Sequence, residues 1–161
     1  MITLRDKDTY LVGVISDTHG LLRPGIKDVL KDTDLIIHAG DIGKPSVLEA
    51  LQDIAPVAAV RGNMDYEKWA KELLLTEIVD VGEVLIYVLH DLYELDLEPK
   101  AADLSVVVHG HTHQPSVKKK DGVMFLNPGS AGPRRHDYPV SVALLRVQEN
   151  SVNARIVEIK E

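Results

Sequence analysis

Five segments of the chain carry residue types that hold metal ions. They are Asp17 and His19 in Ser-Asp-Thr-His-Gly, Asp41 in His-Ala-Gly-Asp, Asn63 with Asp65 in Arg-Gly-Asn-Met-Asp, His90, and His111 with His113 in Gly-His-Thr-His. Carboxylate, carboxamide and imidazole donors without sulfur suit manganese, iron, zinc, nickel or cobalt better than copper or an iron–sulfur cluster. Taken singly, each segment is weak. Asp17 could cap a turn, and Gly40-Asp41 and Gly62-Asn63 use residue types that turns favour. A lone His38 or His90 at a strand end reads first as a structural histidine. His-x-His is stronger, because alternate residues of an extended segment share one face.

The elements that must position these residues are legible as apolar runs. Tyr10 to Ile15, Leu35 to His38 and Val57 to Val60 read as strands, the first two buried on both faces. Between them, Pro24 opens a short helix to about Lys31. Pro45 opens a second, with Val47, Leu48 and Leu51 on one face. Alternating strand and helix implies parallel pairing with right-handed crossovers. Tyr66 to Leu74 is expected to be helical. Glu77 to Val81 and Val84 to Leu89 flank Gly82-Glu83 as a hairpin. Leu104 to Val108 is a further buried strand. Ser116 to Lys119 and Val123 to Leu126 flank the strong hairpin signal Asp121-Gly122. Val140 to Val147 and Val152 to Ile159 flank a turn at Asn150. The expected architecture is one α/β domain over residues 1–161, parallel in its first half and antiparallel in its second. Two packed sheets flanked by helices accommodate so many strands. Every candidate ligand then falls just after a strand, where open α/β sheets form their ligand crevice.

Composition bounds the rest. The chain has 161 residues, 45% of them hydrophobic and 27% charged, as in ordinary globular proteins. The absence of cysteine excludes disulfides, thiolate metal sites and cysteine nucleophiles, and fits a reducing interior. The opening residues carry charges where a signal peptide needs an apolar run. No stretch reaches the roughly 18 apolar residues of a membrane span, so a cytoplasmic location is expected. A formal net charge of −7 disfavours long nucleic acid as a partner. Lys118 to Lys120 is read as a solvated hairpin arm that also discourages edge pairing.

The order Asp17-x-His19, Gly40-Asp41, Gly62-Asn63-x-Asp65, His90, Gly110-His111-x-His113 resembles the five motifs of the calcineurin-like metallophosphoesterase superfamily. The length and Asn127-Pro128-Gly129-Ser130 resemble its small single-domain prokaryotic phosphodiesterases. The resemblance implies the four-layer α/β/β/α fold of two packed mixed sheets flanked by helices. It implies two divalent ions, one taking Asp17, His19, Asp41 and His113, the other Asp41, Asn63, His90 and His111, with Asp41 bridging. Manganese leads among the metals, with nickel, zinc, iron, cobalt or magnesium as alternatives. Asp41, Asn63 and His111 are also assigned to the catalytic set. The implied reaction is in-line attack of a metal-bridging hydroxide on a small phosphoester, without a covalent enzyme intermediate. Metals about 3.5–4 Å apart acidify that water and clamp the phosphoryl oxygens.

Two positions depart from the family pattern. A histidine often stands between Asn and Asp or Glu in the third motif, where it is thought to protonate the leaving group. Met64 occupies that place and has no proton to give. Asp65, without a histidine to orient, is left a turn or Arg61 to serve. Asp91 follows His90 where glycine is common, and is read as holding an imidazole or capping the next segment. His38 and His109 are expected to be structural, and His136 to lie on the surface. Ser130 or Arg134 is a candidate substrate contact. The competing function is a metal-retaining scaffold that binds protein and catalyses little, as retromer subunits resembling this family do. A nuclease ranks lower on charge. Self-association through the apolar hairpins near the C-terminus is a further expectation.

Overall fold

The computed structural model describes residues 1–135 and 137–160; His136, expected on the surface, lies outside the described residues. The chain alternates strand and helix at first: β1 (Ile2–Leu4), β2 (Thr9–Ile15), α1 (Pro24–Leu30), β3 (Leu35–His38), α2 (Pro45–Gln52) and β4 (Val57–Ala59). It then runs through β5 (Thr76–Val81), β6 (Val84–Leu89), β7 (Val106–Val108), β8 (Ser116–Lys120), β9 (Val123–Asn127), β10 (Ser141–Gln148) and β11 (Ser151–Glu158). Proline opens both helices at a position that needs no amide hydrogen.

These strands form two mixed sheets, ordered β11-β10-β2-β3-β4 and β1-β5-β6-β7-β9-β8. Their facing surfaces enclose one apolar layer, with Val12, Val14, Leu35 and Ile37 on one side and Val79, Ile86, Val106 and Leu126 on the other. The two helices cover the outer face of the first sheet over Ile15, Ile36 and Val142. The outer face of the second sheet carries Tyr87, Leu89, Val107 and Val123, covered by Leu92, Leu95 and Leu97. That cover is an irregular connection with one 3₁₀ turn at Leu92–Glu94.

The structure departs from the sequence expectation in three places. Tyr66 to Leu74 forms only a 3₁₀ turn at Lys68–Glu72. The Arg61 amide donates to the Leu74 carbonyl at 2.9 Å, so the segment must return to its start and has room for a single turn. The second half is not wholly antiparallel, since β6, β7 and β9 pair in parallel. The connection after His90 passes over the outer face before re-entering as β7, which sets β6 and β7 in one direction. Finally, Ile2–Leu4 pairs in parallel with β5, a strand too short and too charged at its flanks to register as one. The Asp121-Gly122 hairpin forms as expected, with both residues at positive φ (53° and 79°), the geometry of the tight turn that matches strand twist.

Candidate metal centre

The carboxyl ends of β2, β3, β4, β6 and β7 meet along one edge where the two sheets come together. The backbone ties them. The Asp17 amide donates to the Gly40 carbonyl at 3.0 Å, the His19 amide to Asp41 at 3.0 Å, and the Gly110 amide to His90 at 3.0 Å. Glycine is needed where these turns touch. A methyl group at Gly62 would overlap the Asp41 carboxylate and backbone nitrogen, and one at Gly110 would overlap the Ser16 hydroxyl.

The two aspartates are presented alike. Asp17 Oδ2 accepts from the Ser16 hydroxyl at 2.7 Å and the His111 amide at 3.1 Å. Its Oδ1 is buried, without a hydrogen bond, 3.4 Å from His113 Nε2 and 3.8 Å from His19 Nε2. Asp41 Oδ1 accepts from the Met64 amide at 2.9 Å. Its Oδ2 faces His90 Nε2 at 3.3 Å and His19 Nε2 at 3.8 Å. In each case one oxygen is pinned by the protein and the other turned toward imidazoles.

The donor set fits metal ions. Asp17, His19 and His113 offer ligand atoms within 4.8 Å of one another, and so do Asp17, Asp41 and His90. His90 Nδ1 lies 2.8 Å from the Ala39 carbonyl, to which it can only donate. In the neutral ring this directs the bare Nε2 lone pair at two carboxylates. Nε2 of His19 and of His90 and Oδ1 of Asp17 are buried without hydrogen bonds. Such atoms facing one another repel unless a proton or a metal cation lies between them. At the mouth of the site, Asn63 Oδ1 lies 3.2 Å from His111 Nδ1, both residues exposed. The structure thus brings all seven expected residues to one edge. Asp17 belongs to both close groups, and Asp41 Oδ2 faces a histidine of each.

Backbone strain is concentrated here. Asp17, His19, Asp41, His111 and His113 all have φ between 47° and 70°. A non-glycine residue in this left-handed region costs about 1 kcal/mol or more, tolerated where surrounding contacts over-determine it. The outcome is that short side chains at strand ends turn inward rather than continuing along the strand.

Electrostatics follow the same pattern. Burial acts to raise the Asp17 carboxyl, but the His113 imidazole, the His90 charge and the Ser16 hydroxyl outweigh it and hold it below the usual range. Asp41 is lowered likewise, burial being outweighed chiefly by His90. His90 is raised, its burial being outweighed by Asp41 and Asp17. His19 is lowered, by burial first, against the pull of Asp41 and Asp17.

The supporting residues resolve several sequence readings. Asp65 is buried and accepts from the amides of Ile42 (3.0 Å), Gly43 (3.1 Å) and Gly62 (3.0 Å). It locks the Asp41 turn to the Asn63 turn. Replacing Asp65 with Ala leaves these donors unpaired and is expected to destabilise the fold by about 3 kcal/mol. Urea unfolding at pH 7 checks this; a loss under about 1 kcal/mol would show the amides satisfied elsewhere. Of the two readings of Asp91 the structure shows the cap: Oδ1 accepts from the Tyr93 amide at the 3₁₀ turn, while Oδ2 lies 4.0 Å from His111 Nε2, beyond hydrogen-bond distance. Ser130 is buried and donates to the Asp17 carbonyl at 3.2 Å, so it supports the Asp17 turn. Arg134 lies exposed beside Arg23 and Glu158. Asn127 escaped the sequence reading as a positioning residue. Its Nδ2 donates to the Gly110 carbonyl at 3.2 Å and to Thr112 Oγ1 at 3.0 Å, holding the His111–His113 loop. Its signals were a turn motif and that motif's likeness to the small phosphodiesterases, neither of which names its partners.

His38 is buried behind the site. Its Nδ1 accepts from the Gly40 amide at 3.1 Å and its Nε2 meets Thr18 Oγ1 at 3.0 Å. Burial pushes the ring down to about 4, and His109 likewise. Both folded values lie below the ordinary 6.5, so the unfolded chain binds more protons between those limits. The stabilisation they give is complete above pH 6.5 and is lost as pH falls toward 4, by up to about 3 kcal/mol for each ring. Asp17 and Asp41 lose theirs only at lower pH, because their folded values are depressed. In the metal-free protein His90 acts oppositely: its contribution is full below pH 6.5 and lost as pH rises through its elevated value. Denaturant titrations of wild type and His38→Gln at pH 7 and 4.5 isolate the His38 share. An identical pH dependence in the two proteins would remove that assignment.

Comparison with known proteins agrees with this geometry. The family model described as the calcineurin-like phosphoesterase superfamily domain matches residues 10–150. A protein of Methanocaldococcus jannaschii named a probable metallophosphoesterase is 34% identical, the match covering 95% of this chain and 83% of that one. A protein so named from Methanothermobacter thermautotrophicus is 35% identical over 91% of each chain. Among solved structures, Vps29 of Chaetomium thermophilum superposes with a TM-score of 0.76 at 23% identity, over 93% of this chain and 97% of that one. A structure described as a novel archaeal phosphodiesterase gives 0.74 at 22% identity, over 91% and 99%. These last two likenesses concern the fold.

Proposed function

The chain belongs to the calcineurin-like phosphoesterase superfamily, and from that premise we propose that it hydrolyses a small phosphodiester or phosphomonoester at the Asp17–Asp41 centre. The observation that carries this reading is the set of buried, unpaired ligand atoms on Asp17, His19 and His90. Asp17, His19 and His113 would hold one ion. Asp41 and His90, with Asn63 and His111 at the mouth, would hold the second. When bound, two divalent ions supply Lewis acidity that activates water and balances phosphoryl charge. The chain's own contribution is placement. Pinned carboxylate oxygens and the Ala39 carbonyl fix the donors before substrate arrives. Asn63 brings an oxygen without a charge, which leaves the centre net positive toward phosphate. His111 is 41% exposed at its side chain and so lies where a phosphoryl group enters.

The experiment is hydrolysis of bis-p-nitrophenyl phosphate by metal-stripped protein, with manganese, nickel, zinc or magnesium added back. Activity restored by metal supports the reading. Two bound ions per chain without activity would favour the scaffold reading instead, which draws support from the shared fold with Vps29 and from exposed Met64, Tyr66, Leu74 and Leu75 near the site. Among the described residues no helix is long and apolar enough to cross a membrane.

A further inference from the structure

On the outer face of the second sheet, a cleft of about 440 Å³ opens between the connection after His90 and the β8–β9 hairpin. None of the seven candidate ligands lines it. One wall is apolar: Leu92, Leu95 and Leu97 stand over Phe125 and Val123 of β9. The other wall is the edge strand β8. Strand alternation and the pairing Lys118–Phe125 put Ser116, Lys118 and Lys120 on the cleft side and Val117 and Lys119 on the other. Lys100 joins them across the opening, while Glu98 and Asp121 also line it. Three ammonium groups thus face two carboxylates in a chain whose net charge is −7. His109 closes the floor. It lies just past the end of β7, two residues after Val107, is 8% exposed, and its buried Nδ1 has no hydrogen-bond partner among the described residues.

We propose that this cleft is a second binding site, separate from the metal centre, for a small amphipathic anion: an acid with a compact apolar body and one carboxylate, sulfonate or phosphate head. The volume is that of a small-molecule pocket rather than of an extended peptide groove. The apolar wall accepts the body by desolvation. The head lies toward the β8 lysines, whose charge complements it. The usual cover for such a sheet face is a helix that would fill this space. The irregular connection here leaves it open.

The test uses the full metal-loaded chain with inorganic phosphate present to compete at the metal centre. The probe is 8-anilinonaphthalene-1-sulfonate, followed by fluorescence and calorimetry. One probe per chain is expected. The Lys118→Glu/Lys120→Glu double variant, whose changes are on exposed side chains, is expected to weaken binding about tenfold or more. Leu95→Asp is expected to weaken it by a similar factor, with both variants keeping the wild-type circular dichroism and hydrolytic rate. Uncharged N-phenyl-1-naphthylamine should bind more weakly than the sulfonate and be indifferent to the charge reversal. Absence of saturable probe binding, equal affinity in wild type and both variants, or equal affinity for the uncharged analogue would each overturn the proposal. The readout is binding, so it stands or falls independently of whether the metal centre hydrolyses phosphoesters.

Discussion

Replacing Asp41 with Asn is expected to lower metal-dependent hydrolysis of bis-p-nitrophenyl phosphate by about 10³-fold and to reduce the metal bound per chain. The isostere keeps the shape and still accepts the Met64 amide through Oδ1. What changes is the other atom. In the wild type, Oδ2 faces His90 Nε2 at 3.3 Å and His19 Nε2 at 3.8 Å. In Asp41→Asn an amide NH₂ takes that place and donates to the imidazole lone pairs that a metal would use. A negative charge is lost as well. A carboxylate about 4 Å from a cation is worth about 4 kcal/mol near a protein surface, and losing that energy corresponds to about three decades in rate. Metal analysis by mass spectrometry separates loss of ions from loss of chemistry. Two ions held at wild-type affinity with a rate within about tenfold of wild type would show that Asp41 is not central.

The second large effect is a gain. Met64→His is expected to raise hydrolysis of diesters with poor alkyl leaving groups by about 10²-fold while leaving nitrophenolate release nearly unchanged. Met64 is 51% exposed beside Asn63, and its side chain has no proton to donate. A positioned general acid contributes roughly 10²–10⁴-fold. The lower end is expected because the carboxylate of Asp65, the residue that would orient a histidine there, is already bound by the amides of Ile42, Gly43 and Gly62. The measurement is the dependence of rate on leaving-group pKa. Supplying an acid flattens that dependence. A slope equal to that of wild type would mean that this position does not reach the leaving oxygen.

The two effects depend on different kinds of information. The candidate ligands were legible from residue type, order and the family resemblance these carry. Asp17, His19, Asp41, Asn63, His90, His111 and His113 each follow an apolar run, and the structure gathers all seven at the ends of β2, β3, β4, β6 and β7. Most elements were legible for the same reason: continuous Val and Ile runs are buried on both faces, and proline and Asp-Gly mark where helices and hairpins start. The family membership rests on the match over residues 10–150 and on the relatives, and that span contains every one of these segments.

What the linear chain could not decide was set by contacts between distant segments. The segment from Tyr66 to Leu74 has helical spacing, yet the bond between the Arg61 amide and Leu74 carbonyl closes it into a single turn. The parallel pairing of β6, β7 and β9 depends on which face the intervening connection crosses, and hydrophobic alternation is blind to that choice. Asp65 and Asn127 looked like turn residues because their partners lie in other turns, visible only once the strand ends converge. The positive φ values at Asp17, His19, Asp41, His111 and His113 are likewise tertiary. Asp and His enter this region more readily than most side chains, but it still costs energy at each of them, and it persists because the surrounding hydrogen bonds over-determine the backbone. Residue type determined which atoms can bind metal; the packing of two sheets determined which of those atoms remain unpaired and facing one another.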